Sequence, residues 1–299
     1  MLAVHTCHTG RRGRTRRPLG GHRKDRVRPS HLHVDRAVDA NRGRDMSGML
    51  LNLVVAGLVV GFMIGLTGVG SGALMAPVLL LLGIPPATVV GSDLLFGLLT
   101  KVVGVGSHLQ HRTISWRWVW VMAIGSVPGV LVGTRILAHF AGAPKTIRFL
   151  IGLVLVMTPL LALVMEIARR QDAQWVERLR HPSGPAIAAI GAAIGITVGA
   201  TSVGSGSLVD MALVLFSPLS GVALIGTGIA HAVLITGTGA AAHWNLGNVD
   251  PALVGQLLIG SIPGVLVGGW LARRSKPGAV RWGATTLVLL SGLTLLSRA

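Results

Sequence analysis

From Met49 onward the chain is a succession of long apolar runs separated by short polar breaks. A helix needs about 20 mostly apolar residues to cross a bilayer. The pattern predicts such helices over 50–69, 87–108, 117–138 and 146–166, then over 185–204, 220–243, 251–272 and 279–297. Two shorter apolar pieces, 72–83 and 206–217, directly follow glycine-rich stretches. They read either as half-helices of a broken hairpin or as steep crossings where the membrane is thinned. A polar loop from Glu166 to His181 separates the two groups. The expected fold is an all-α polytopic membrane protein with about 8–10 transmembrane segments.

The two groups match each other. Residues 65–74 (Gly-Leu-Thr-Gly-Val-Gly-Ser-Gly-Ala-Leu) align with 199–208 (Gly-Ala-Thr-Ser-Val-Gly-Ser-Gly-Ser-Leu) at an offset of 134. Residues 125–133 (Gly-Ser-Val-Pro-Gly-Val-Leu-Val-Gly) align with 260–268 (Gly-Ser-Ile-Pro-Gly-Val-Leu-Val-Gly) at an offset of 135, and His108 falls on His243 in that register. Two matches of this length in one register point to duplication, a common plan among transporters. Five crossings per half is an odd number, so the halves are expected to be inverted relative to each other. One face then collects ten Lys/Arg, among them Arg112, Arg117, Arg169 and Arg274, and the other collects Arg135, Lys145, Arg148 and Arg298. The richer face is expected to be cytoplasmic.

Composition narrows the class. Only 12% of residues are charged and 51% are hydrophobic, with a mean hydropathy of +0.67 and 42 glycines. A soluble domain carries about 25% charged residues, so an ordinary soluble enzyme is excluded. The absence of Tyr, with 4% aromatics, excludes an outer-membrane barrel, which needs aromatic girdles. The single Cys7 excludes a disulfide framework and a Cys-based metal site.

The net charge of +17 is unevenly spread, because residues 1–45 hold 12 Lys/Arg and 4 Asp. This Arg-rich tail has no apolar periodicity. It reads as an upstream extension of a start at Met46 or Met49, or else as a disordered tail. The expected organisation is therefore the tail at 1–45, a first membrane repeat at 50–166, a polar cytoplasmic linker at 167–184 and a second repeat at 185–297.

The glycine-rich stretches carry the candidate chemistry. They lack the Lys of a nucleotide-binding loop and join two apolar segments rather than a strand and a helix. In a membrane such breaks unwind the backbone and free N–H groups. A short helix starting just after the break aims its positive end at that spot. Gly68, Gly70, Ser71 and Gly72 from one half, with Ser202, Gly204, Ser205 and Gly206 from the other, would form an uncharged anion site. The other reading is that these glycines serve packing alone. Gly57, Gly61 and Gly65, with their mates Gly191, Gly195 and Gly199, look like close-packing stripes.

Asp93, Gly97, Thr100, Lys101, Gly104 and His108 recur at helical spacing on one small, polar face. Ionisable residues within a membrane are costly and face a pathway or a partner. Lys101 could attract an anion, and Asp93 and His231 could carry protons that couple the cycle. A structural ion pair is the competing role for Asp93. His108 and His243 stand near segment ends and suit interfacial or capping roles. Asp210 follows the second glycine stretch, where it could satisfy free N–H groups. As an anion repellent it is left out of the expected site. No catalytic triad, paired carboxylates or metal cluster can be assembled, and no cofactor is expected.

These residues resemble the TauE/SafE sulfite exporter family. The resemblance rests on the Gly-x-x-Gly-x-Gly-x-Gly stretch with Pro77 and its Leu run, on Gly83-Ile84-Pro85-Pro86-Ala87 and on Gly91-Ser92-Asp93-Leu94. It is extended by Gly247-Asn248-Val249-Asp250 and by Gly260-Ser261-Ile262-Pro263-Gly264, and covers about 50–297. It implies a multi-pass permease of a bacterial cytoplasmic (inner) membrane, usually exporting sulfur-containing anions such as sulfite or organosulfonates. The family commonly has Gly where Ser71 and Ser205 stand and Thr-Ser where Ser92-Asp93 stands. The competing functions are a passive anion channel, a carrier of other small organic acids, and a membrane scaffold without transport. The expected partners are the anion and the lipid bilayer, with no nucleic acid, and a homo-oligomer is compatible with the sequence.

Overall fold

The computed structural model describes residues 51–67, 70–140, 142–171, 183–272, 274 and 277–298. The Arg-rich tail, Gly68 and most of the polar linker lie outside the described residues, as do Arg178, Arg180, Arg273 and Lys276, which entered the count of cations by face. The described residues form helices and turns, with no strand among them.

The helices of the first half are α1 (Leu51–Thr67), α2 (Ser71–Leu81), α3 (Pro86–Gln110), α4 (Trp116–His139) and α5 (Pro144–Gln171). Those of the second are α6 (Gly184–Thr201), α7 (Ser207–Phe216), α8 (Gly221–Asn245), α9 (Pro251–Ala272) and α10 (Pro277–Ser297). Proline begins α3, α5, α9 and α10. Its missing N–H costs nothing there, because first-turn N–H groups lack intrahelical partners. Asp250 caps α9, its Oδ1 accepting the N–H groups of Ala252 at 2.9 Å and Leu253 at 3.1 Å, as a short acidic side chain does at a helix start. Gly247 supplies the left-handed residue, at φ +71°, in the turn before that cap. Glycine takes that conformation at no steric cost.

Six of the helices are long and apolar enough to cross a membrane. Their outer surfaces carry large apolar residues: Val103 is 81% exposed, Ile124 70% and Leu266 69%. An exposed apolar surface of this extent suits lipid rather than water. The chain is a multi-pass membrane protein.

At the centre α3 packs against α8, and both are flanked by the short helices α2 and α7. Around them α4 packs on α6, α1 on α9 and α5 on α10. The α1–α9 and α4–α6 contacts run backbone to backbone. Gly57, Gly61 and Gly65 lie against the main chain at Leu257, Ser261 and Val265, and Gly260, Gly264 and Gly268 of α9 return the contact at Val54, Leu58 and Phe62. Gly125, Gly129 and Gly133 of α4 lie against Ala188, Ala192 and Ile196, and Gly191, Gly195 and Gly199 of α6 against Met122, Ser126 and Val130. No Cβ fits at these positions, so the glycine stripes do the close packing that small residues give membrane helices.

Several boundaries shift by a few residues, with α5 running to Gln171 into the expected linker, and one shift has a clear local cause. The apolar run predicts a helix to residue 204, but α6 stops at Thr201. Ser202 takes the left-handed conformation at φ +61°, and its N–H bonds the Val198 carbonyl at 2.8 Å. Thr201 then accepts the Val203 N–H on its Oγ1 at 3.2 Å. A left-handed residue directly after the last turn is a common way for a helix to end.

Candidate functional site

The two glycine-rich stretches meet at the centre. Gly70 faces Gly206, with the Gly206 N and Cα at 3.5 and 3.7 Å from where a Gly70 Cβ would stand. Gly70 is the N-cap of α2 and Gly206 the N-cap of α7, so both short helices start at this point. The first-turn N–H groups of a helix have no intrahelical partner and give its start a partial positive charge. Gly204 carries the chain through φ +98° to make the second turn.

Lys101 reaches this place from the middle of α3. Its Nζ donates to Ser205 Oγ at 3.2 Å. The face of α3 next to it is kept open by Gly97. A Cβ there would stand 3.1 Å from Ser71 Oγ and 3.2 Å from Lys101 Nζ, with the Thr236 methyl of α8 behind them. Ser71 Oγ and Lys101 Nζ thus both border the space left at Gly97, and Ser71 and Ser205 are both buried.

Asp93 lies two turns before Lys101 on α3 and is buried. Its Oδ2 is 3.1 Å from the Cβ position of Gly72, whose other neighbour is the Ser202 carbonyl. Its carboxyl group interacts with the Ser202 and Ser71 hydroxyls and with the Lys101 charge. Asp93 Oδ1 and Ser202 Oγ are buried without a well-formed hydrogen bond in the structure. Asp210, set aside at the sequence level, stands in the first turn of α7, its N–H bonded to the Gly206 carbonyl at 2.8 Å. Its carboxylate lies against Gly228 of α8, and it joins Asp93 in acting on the Lys101 charge. Among the described residues neither carboxylate forms a direct ion pair with Lys101.

The histidines go elsewhere. His231 is fully buried, with Nε2 2.8 Å from Ser126 Oγ of α4 and Nδ1 without a partner. His243 ties α8 to α6 and to the turn before α9. Asn248 donates to its Nδ1 at 3.3 Å, and its Nε2 then donates to the Gly199 carbonyl at 2.9 Å. A neutral imidazole has one nitrogen for each of these roles. His108, its sequence mate, stands 2.8 Å from Thr113 Oγ1 at the end of α3. Gly91 and Ser92 have a packing role: Gly91 lies against the Asn248 backbone, and Ser92 Oγ accepts the Asp250 N–H at 3.0 Å. Two cavities, of about 620 and 410 Å³, lie away from this centre in apolar clefts lined by α4 with α8 and by α5, α6 and α7. No cluster able to hold a metal ion occurs among the described residues.

A bundle of apolar helices with serine hydroxyls, helix starts and a single ammonium gathered at its centre belongs to the class of polytopic membrane transporters. The chain belongs to the TauE/SafE sulfite exporter family, whose model matches residues 53–295. It is 35% identical over 254 residues to the probable membrane transporter protein YjnA of Bacillus subtilis (strain 168), covering 83% of this chain and all of that one. Two further proteins of that strain, the probable membrane transporter proteins YdhB and YunE, are 25% and 22% identical. YdhB matches over 83% of this chain and all of its own length, and YunE over 82% and 96%. No solved structure matches the chain.

Proposed function

We propose that the protein carries sulfur-containing anions, of the sulfite or organosulfonate class, across a bacterial cytoplasmic membrane by secondary transport. The anion binds where Gly70 meets Gly206, and the residues that hold it are Lys101, Ser71 and Ser205 with the N–H groups at the starts of α2 and α7. Gly72, Ser202 and Gly204 shape the turns around it. Gly68, expected from the sequence to join them, lies outside the described residues. The observation that carries this reading is the Lys101–Ser205 hydrogen bond of 3.2 Å, with Ser71 Oγ bordering the same open space at Gly97. A lysine inside a membrane bundle is costly and marks a pathway or a partner. An ammonium, serine hydroxyls and two helix starts around one space give an oxyanion what it loses on leaving water.

Transport follows alternating access, with the two halves exposing the site to one side and then the other. Burial supports this over a passive channel. Ser71 and Ser205 are only 6% and 3% exposed, so the site is closed from both sides and some movement must open it. The family membership favours sulfite over other small organic acids, and the export direction is the one that membership implies. Asp93 and His231 are the sequence-level candidates for coupling. Asp93 lies at the proposed site, whereas His231 is bonded to Ser126 and acts on the α4–α8 contact.

The test is uptake of labelled sulfite and sulfoacetate, against sulfate and chloride, into proteoliposomes. Saturable flux of a sulfur anion that Lys101→Met abolishes supports the reading. Folded wild-type protein that moves none of these anions overturns it.

A further inference from the structure

The single ammonium at the centre is outnumbered by carboxylates. Asp93 and Asp210 both act on Lys101, and they come from different halves of the chain. Asp93 stands on the long helix α3 and lies against Gly72 of the short helix α2. Asp210 stands on the short helix α7 and lies against Gly228 of the long helix α8. Gly228 is the residue that aligns with Asp93, so each half supplies one carboxylate to the interface between its short helix and the long helix that follows.

The other titratable groups described on the packed helices are bonded elsewhere or stand towards helix ends. His231 is bonded to Ser126, His243 to Gly199 and Asn248, and His108 to Thr113. Asp250 is engaged in capping α9, and Lys145, Arg148 and Glu166 stand towards the ends of α5. Among the described residues, the charge at the centre is therefore set by three groups, Lys101, Asp93 and Asp210. With both acids ionised it is one negative charge, which repels an anion. With one proton bound it is zero, and with two it is one positive charge.

Resting on the anion reading above, we propose that Asp93 and Asp210 are a pair of proton-binding groups that must take up protons before Lys101 can hold the anion, so that protons and anion cross the membrane together, and export is then driven by an outward gradient of the anion steep enough to carry the protons with it. Lys101 attracts the anion in every state, but only protonation of its neighbours frees its charge. Each proton moves from water to a carboxylate oxygen when the anion binds and returns to water when it leaves, so no other reactant is needed. Asp93 Oδ1 and Ser202 Oγ, buried without a formed bond, provide a place for one such proton to bridge. A buried polar atom without a partner calls for an explanation, and a proton taken up during function is one.

The experiment uses full-length protein in vesicles with the membrane voltage clamped. Exchange of labelled for unlabelled sulfite and methanesulfonate is measured first, and the anion that exchanges is carried forward. Wild-type protein should accumulate that anion against its gradient when the outside is made more acidic. Its exchange rate should fall by about tenfold per pH unit for each required proton once the pH exceeds the carboxylates' own titration. In Asp93→Asn/Asp210→Asn the amides imitate the protonated acids, so exchange should become independent of pH and pH-driven accumulation should vanish. Size-exclusion elution checks that this variant folds.

No exchange by the wild type sinks the anion reading and the coupling with it. Exchange without pH-driven accumulation sinks the coupling alone, as does accumulation that survives the double substitution or that follows a sodium gradient instead. Loss of exchange in the folded double variant also counts against it, because neutral side chains should suffice.

Discussion

Asp210 of α7 lies against Gly228 of α8, the residue that takes the place of Asp93 in the second half. A carboxylate at position 228 itself would collide with Asp210, and Ala76 corresponds in the first half to Asp210. The two halves therefore place one acid each at corresponding interfaces by different residues. The sole lysine of the pair of long central helices, Lys101, has Thr236 as its counterpart, and that threonine lines the same space.

Lys101 is expected to be indispensable for anion binding. Lys101→Met should cut sulfite flux by at least about tenfold, the loss of one charge-assisted hydrogen bond. Lys101→Arg should not restore it, because the forked guanidinium is wider than the ammonium and no longer meets Ser205 in the same geometry. Initial rates of labelled uptake, normalised to folded protein in the vesicles, decide this.

Gly97 is expected to set the size of the site. Its missing side chain leaves the space between Ser71 Oγ and Lys101 Nζ open. Gly97→Val should fill that space and abolish flux while the protein still elutes as a folded species. An unchanged Michaelis constant for sulfite in this variant would place the anion elsewhere.

Ser202 should show a trade of stability against activity. Its backbone is left-handed, at φ +61°. That conformation costs a residue with a side chain about 1 kcal/mol. Its counterpart in the first half is Gly68. Ser202→Gly should raise the melting midpoint in detergent. The same change removes a hydroxyl next to Asp93 and should slow pH-driven accumulation. Both readouts moving down together would contradict the strain argument.

The α4–α6 contact should tolerate no side chain. A Cβ on Gly129 would meet the Ala192 backbone, with its C and Cα at 3.1 Å. Gly129→Leu should cost about 1–3 kcal/mol or prevent folding. On α9, a Cβ at Gly255 meets nothing within 4 Å. Gly255→Leu should therefore leave the melting midpoint within about 1 °C of wild type. Thermal shift of the detergent-solubilised protein compares the two.

Much of this was legible in the sequence, for identifiable reasons. Long apolar runs locate membrane helices because nothing else can bury that many carbons at once, and the short pieces 72–83 and 206–217 appear as α2 and α7. Gly57, Gly61 and Gly65 were readable as packing positions from their regular spacing along one helix face. What the spacing could not show was the partner, which is α9 in the other half of the chain rather than a neighbour in sequence. Lys101 stood out as a cation in an apolar run. Asp210 did not enter the expected site, because a carboxylate repels an anion when considered alone. Only the fold reveals that it stands in the first turn beside Gly206, close enough to act on the Lys101 charge together with Asp93. The end of α6 was also hidden, since Ser202 is not a residue type that announces a left-handed turn.

The most direct test of the central claim is to locate the anion itself. Selenite has the shape and charge of sulfite and scatters X-rays anomalously. In crystals grown with selenite, the anomalous difference map should show a peak within hydrogen-bonding distance of Lys101 Nζ and Ser205 Oγ, between the starts of α2 and α7, and that peak should be absent in Lys101→Met. Selenite that competes with sulfite for transport yet gives its peak away from Lys101 would contradict the account.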